Sequence, residues 1–323
     1  MNYITSTQKE TIAKNKVFID GISRTGKSIF SIILPAFEKM EHIQFFDLIE
    51  WLIPAAKYGG MNINYLNSIL RIAYNQLYYN LFISRNVNFR KSDQTGINNF
   101  RDPEIYYSRL EKVDNDGIVK EIINTEFYVP FMTHDLMVNM DIVKKIDLDC
   151  KILEIYRNPI DIVYSWWRRG LGTRLGNDPR EFTLLININN LDLPWYCAEI
   201  DDLEKFSSYN ELERIITIVL SLINRSVIQH KSLKNNGKIY TLTYEETVEK
   251  TDEVVKNIGR FLKLKPSKVM PAKLKEINLP RTLNENDNFN KVKVIKKHIC
   301  SEKYNDLVDM ALSYNNNLYG LKS

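Results

Sequence analysis

The stretch Gly21-Ile-Ser-Arg-Thr-Gly-Lys-Ser28 limits the possible folds more than any other part of the chain. An apolar run, Val17-Phe-Ile-Asp20, precedes it, and a second, Ile29-Phe-Ser-Ile-Ile-Leu34, follows. The local order therefore reads strand, glycine turn, buried helix. Glycines let the backbone curl until successive N–H groups point into one concavity, and the following helix adds about half a positive charge there. Arg24 and Lys27 bring full charges and Ser28 a hydroxyl, so the string satisfies G-x-x-x-x-G-K-[ST]. An ordinary strand-to-helix turn needs the glycines only. The added cations and hydroxyl make this a loop for a phosphate-bearing ligand.

Composition narrows the partners. Of 323 residues, 44% are hydrophobic and 26% charged, as expected of a globular chain with a sizeable core. A net charge of +4 suits a small anionic ligand and is too weak and dispersed for nucleic acid. Three cysteines, Cys150, Cys197 and Cys300, have no C-x-x-C spacing. That argues against a disulfide framework or a thiolate metal site and for a reducing compartment. Met1 to Lys16 is polar with no apolar core of a leader, and no apolar run reaches the roughly 18 residues of a membrane span. The expected location is cytoplasmic.

Beyond the loop, Ile43 to Trp51 is aromatic and β-branched and reads as a second strand, with Pro54 and Gly59-Gly60 as punctuation. From Asn62 to Phe82 the spacing is helical, with Tyr65, Ile69, Ile72, Leu77 and Leu81 as the expected core stripe. Arg85 to Asp116 is weakly periodic and carries Arg85, Arg90, Lys91 and Arg101. It reads equally as a substrate-covering lid or as a solvated insertion. Glu126 to His134 reads as a strand with a polar end at Thr133-His134, and Lys151 to Tyr156 as a central strand ended by Arg157. Asn158, Pro159 and Asp161 then give an N-cap, a proline at the first helical position and a first-turn acid. A long amphipathic helix spans Leu212 to Ile228, a further strand Lys238 to Tyr244, and a helix continues to Leu264. Pro266, Pro271 and Pro280 mark an irregular region before a closing helix from Ser301 to Tyr319. Alternating strands and helices predict a parallel sheet covered on both faces. The expected fold is α/β: three layers around a central parallel sheet, with a helical insertion and a C-terminal helix. No linker divides residues 1–323, so one domain is expected, with an acceptor-binding insertion at about 57–120.

Parallel-sheet enzymes bind ligands at the carboxyl ends of their strands. Here those ends offer the Gly21–Ser28 loop, Thr133-His134, Arg157 and Tyr244-Glu245. Taken alone, His134 reads as a structural histidine, and Arg157 and Ser165 as a strand-end charge and a helical hydroxyl. Together they resemble the PAPS-dependent sulfotransferase family, whose fold is similar to that of P-loop NTPases. That family's first loop is similar to G-x-x-R-[ST]-G-[ST]-[ST], and Arg24, Thr25, Gly26, Lys27 and Ser28 occupy its positions. Its second signature, Arg-[Asn/Asp]-Pro-x-Asp-x-x-x-Ser, matches Arg157 to Ser165 with spacing intact. The likeness extends from Val17 to Tyr319 and includes Thr-Tyr-Glu-Glu at 243–246 before the helix ending Gly259 to Leu264. It departs from the family pattern at Lys27, where Ser or Thr is usual, at Arg24, where Lys is common, and at Met132, where a Lys often precedes Thr-His.

The resemblance implies PAPS as donor and PAP as product. Arg24, Thr25, Gly26, Lys27 and Ser28 would hold the 5′-phosphosulfate, Arg157 and Ser165 the 3′-phosphate, with a C-terminal basic residue such as Arg281 left open as a helper, and Tyr244 would lie near the adenine. His134 would be the catalytic base, with Arg24 stabilising the transferring group. The acceptor would be a hydroxyl or amine on a carbohydrate or small molecule, and the basic residues of 85–116 hint at an anionic glycan. Sulfuryl transfer resembles phosphoryl transfer, in which positioning and charge supply most of the catalysis. No metal is expected, because fixed cations meet the leaving phosphate. The rival readings are a P-loop kinase or NTPase using Lys27, Ser28 and Mg-ATP, and a nucleotide-binding protein without catalysis. The first needs an Asp at a neighbouring strand end, where this chain has Arg157 or the poorly placed Asp47.

Overall fold

The computed structural model describes residues 11–233 and 237–321, apart from the side chain of Glu285. Residues 1–10 of the polar N-terminal stretch lie outside that range. Five strands form a parallel sheet: β1 (Lys16–Asp20), β2 (Gln44–Phe45), β3 (Val129–Met132), β4 (Cys150–Tyr156) and, after a small hairpin of β5 (Leu185–Ile188) and β6 (Leu191–Pro194), β7 (Ile239–Thr243). Their order is β2-β3-β1-β4-β7. Central β1 pairs Ile19 with Met132 on one side and with Leu153 on the other. The strand ends at Asp20, Met132, Tyr156 and Thr243 therefore share one edge of the sheet.

All five residues of β1 are buried, which explains the apolar run Val17-Phe-Ile19 between its charged ends. Val17 and Ile19 pack with Phe30, Ile33 and the Thr251–Leu262 helix on one face of the sheet. Phe18 packs with Tyr74, Tyr78 and Phe131 on the other. A further cluster joins the Pro159–Trp167, Glu211–Ser232 and Ser301–Asn317 helices. The result is the expected three-layer α/β arrangement with a C-terminal helix. At Asn158 the anticipated cap forms, its side-chain oxygen accepting the Ile160 N–H at 3.0 Å.

Several local expectations fail. The run read as a strand over Ile43–Trp51 pairs only at β2, and Leu48–Gly59 is a helix with Pro54 inside it. An edge strand this short leaves its remaining apolar residues free to face a helix's core side. In the Ile63–Phe82 helix the expected stripe is rotated: Tyr65, Ile69 and Ile72 are 43%, 39% and 54% exposed. The buried face is Leu66, Leu70, Tyr74, Tyr78 and Leu81. Apolar and tyrosine residues occur all round this helix, so spacing alone does not fix its phase. After the loop, the expected helix is a short α-turn, Phe30–Ile33, between two 3-10 turns. The proline-marked region contains helices Met270–Glu276 and Glu285–Lys296.

The segment 85–116 is bound to the body of the protein. Arg109 clasps Glu41 through two nitrogens at 2.7 and 2.9 Å. Arg101 donates to the carbonyls of Pro35, Phe37 and Met40. Arg85 pairs with Asp114, and Arg90 with Asp93 at 3.3 Å. Of the basic residues that hinted at an anionic acceptor, Arg85, Arg90 and Arg101 are thus engaged within the protein, while Lys91 is exposed.

Candidate active site

Asp20 ends β1, and the loop that follows is built on left-handed turns. Gly21 has φ 140°, Arg24 φ 76° and Gly26 φ 91°. A Cβ at Gly21 would lie 2.4 Å from the Ile155 carbonyl oxygen, and one at Gly26 would lie 2.3 Å from the Tyr244 ring. Both positions need glycine for space as well as for φ.

The loop, Arg157, Arg169, Tyr244 and Arg281 line a cleft of about 570 Å³. Five cationic side chains, Arg24, Lys27, Arg157, Arg169 and Arg281, contribute to its walls, and no carboxylate does. Burial, and then the charges of Arg169 and Arg157, push the Arg24 guanidinium below its ordinary value. Such a concentration of like charge favours an anionic occupant.

The two sequence motifs meet directly. Arg24 Nε donates to Ser165 Oγ at 2.9 Å, and Arg157 donates to the Arg24 carbonyl at 3.3 Å. The Arg157 guanidinium lies 4.2 Å from the centre of the Tyr244 ring, whose hydroxyl accepts from Arg281 at 3.0 Å. One face of Tyr244 therefore supports Arg157 and is not free for a base. Tyr244 starts a helix at the capping box of Thr243 and Glu246, a pattern present in the sequence.

Lys27 and Thr25 differ from the arrangement the motif suggests. The Lys27 ammonium turns inward, donating to the carbonyls of Gly21 and of Ile22, the latter at 3.0 Å. Burial is the largest influence and lowers its pKa, while the acidic groups of Asp20, Asp135, Glu50 and Glu154 act in the opposite sense. Thr25 is buried and donates its hydroxyl to Ile22. Ser28 is exposed on the cleft.

His134 stands just past β3, where this cleft adjoins a second one of about 310 Å³. Its backbone N–H and ring Nδ1 both reach Glu50 Oε1, at 2.8 and 3.2 Å. A carboxylate only accepts, so Nδ1 carries the hydrogen and Nε2 keeps its lone pair. Glu50 escaped the sequence reading because its helix was taken for a strand. The second cleft is walled by Trp51, Trp166, Trp195 and Tyr196, with Phe182 at its rim. Trp51 Nε1 donates to the Phe182 carbonyl at 2.6 Å, bridging that rim. Neither cleft draws on 85–116 except through Gln94.

The sequence model of the sulfotransferase domain matches residues 14–307. The chain belongs to the sulfotransferase-domain family. Family and fold indicate a transferase. Among solved structures it is similar to the sulfotransferase domain of the Synechococcus PCC 7002 olefin synthase, with 11% identity over 98% of each chain and a TM-score of 0.48. It is also similar to mouse sulfotransferase SULT7A1 complexed with PAP, with 12% identity, 95% of this chain and 86% of that one covered, and a TM-score of 0.42. A sulfotransferase from Alicyclobacillus acidocaldarius shares 12% identity, with 92% and 96% covered and a TM-score of 0.38. No curated protein matches the chain in sequence. Among the described residues, no helix is long and apolar enough to cross a membrane, and no cluster of His, Cys, Asp and Glu could hold a metal.

Proposed function

We propose that the chain transfers a sulfuryl group from PAPS to an acceptor hydroxyl, with His134 as base. The observation that carries this reading is the place of His134: between the cation-walled cleft and the aromatic one, with Nδ1 held by Glu50. A doubly phosphorylated nucleotide fits the first cleft by charge, and PAPS supplies an activated sulfuryl group on its 5′-phosphate. Arg24, Gly26 and Ser28 line the cleft beside the loop's N–H groups, suited to the charge on the leaving phosphate. Thr25 and Lys27 hold the loop's shape from within. Arg157, backed by Tyr244 and accompanied by Arg281, suits the 3′-phosphate, with Ser165 reaching it alongside Arg24. His134 Nε2 takes the proton as the acceptor oxygen bonds to sulfur and the bond from sulfur to the 5′-phosphate breaks. Three unpaired cysteines support a cytoplasmic setting for a single domain of this kind.

Thermal unfolding tests the donor. PAP without metal should stabilise the protein by about 2.7 kcal/mol at a hundredfold excess over Kd. Stabilisation by ATP with Mg²⁺, with PAP inert, would overturn the proposal in favour of a kinase.

A further inference from the structure

The cleft beyond His134 has the opposite electrical character to the phosphate cleft. Asp47, Glu50, Asp135 and Glu181 all line it, against one guanidinium, Arg174, which lies 4.0 Å from Asp178. Among the described residues, Glu50 pairs only with His134, and no Lys or Arg comes within ion-pair distance of Asp47, Asp135 or Glu181. One Asp135 oxygen is buried with no hydrogen-bond partner. Burial raises the carboxyls of Asp47 and Glu181 above their usual range and pushes Asp135 up to about 7. The Lys27 charge acts on Asp135 and the Arg174 charge on Glu181, but among the described residues neither closes an ion pair with that carboxyl group. The remaining walls are mainly aromatic: Tyr196 meets Trp166 and Trp195 edge to face, with ring centres 6.3 and 6.1 Å apart.

Aromatic faces and carboxylates without an ion-pair partner attract the same ligand, an organic cation, since ring quadrupoles and negative charges both favour it. We infer that the acceptor is a small alcohol carrying an ammonium group, which sits among Asp47, Glu181 and the tryptophan walls while its hydroxyl meets His134. This inference rests on the sulfuryl-transfer reading above. An anionic acceptor would face four carboxyl groups, and a neutral one would leave Asp47, Asp135 and Glu181 without an ion-pair partner. The two clefts share Ser23 and His134, so an anionic donor and a cationic acceptor would meet at the base from regions of matching potential. A volume of about 310 Å³ admits one ring or a short chain.

The test is transfer of labelled sulfate from PAPS to alcohols matched in shape and differing in charge. Suitable pairs are choline with 3,3-dimethylbutan-1-ol, tyramine with 4-ethylphenol, and glucosamine with glucose. The expected result is a kcat/KM at least about tenfold higher for the cationic member of a pair that reacts. Asp47→Asn combined with Glu181→Gln should bring that ratio to within about twofold of one. Equal or reversed preference in the wild-type enzyme overturns the inference, as does a ratio that survives both substitutions. A PAP-stabilised enzyme that sulfates no cationic alcohol also overturns it, leaving the donor reading intact. A protein that PAP does not stabilise overturns the sulfotransferase reading itself, and this inference with it. If the double variant does not fold, the wild-type comparison still decides.

Discussion

His134 owes its orientation to a single oxygen on another element. Glu50 Oε1 accepts from both the ring and the backbone N–H of His134, which fixes the tautomer and would steady an imidazolium formed in the proposed transfer. His134→Ala should therefore lower turnover on the order of a hundredfold to ten-thousandfold. Glu50→Gln should lower kcat by about tenfold or more with little change in KM. An unchanged kcat would show Glu50 to be merely structural. Arg157 is tested by ligand choice. Arg157→Ala should weaken PAP binding by roughly 1.5–3 kcal/mol and leave adenosine 5′-phosphosulfate, which lacks the 3′-phosphate, nearly unaffected. Calorimetry showing equal losses would assign Arg157 to its packing on Tyr244 and its bond to the Arg24 carbonyl instead.

At the scale of elements, what was legible were the places where local chemistry and fold agree. The glycine loop after β1 and the Asn158-Pro159 helix start carry their geometry in residue types that have few alternatives. The Leu48–Gly59 helix does not, because its aromatic entry and internal Pro54 both argue against helix until tertiary packing decides. Glu50 and Trp51 were hidden with it. The tryptophans of the second cleft come from distant segments, so no local spacing could gather them. His42, just before β2, shows how firmly the 85–116 segment is tied down. Its Nε2 meets the Gly96 carbonyl at 3.0 Å, and its ring packs on Phe100 with centres 5.5 Å apart. Burial holds this imidazole down at about 4. Between there and the ordinary 6.5, the unfolded chain binds a proton that the folded one refuses. The associated stability is full above pH 6.5 and is lost as pH falls toward 4, to the extent of about 3 kcal/mol. Urea unfolding at neutral and acid pH should show the wild type losing more on acidification than His42→Gln. Equal losses would mean the ring titrates freely in the folded protein.

Across the whole molecule, the net charge of +4 gives no sign of the two opposed local fields at the clefts, and composition could reveal neither. The sheet creates the division. With β1 at its centre, β3 brings His134 to one side of the loop and β4 brings Arg157 to the other. A further consequence comes from two adjacent residues at the start of one helix. Glu50 grips His134, and Trp51 grips the carbonyl of Phe182 across the mouth of the aromatic cleft. A rigid turn of backbone joins the latch to the lever. A bulky guest that forces the mouth apart pulls on the carboxylate behind the base, so oversized molecules should be penalised in the speed of the chemical step even after they have been admitted.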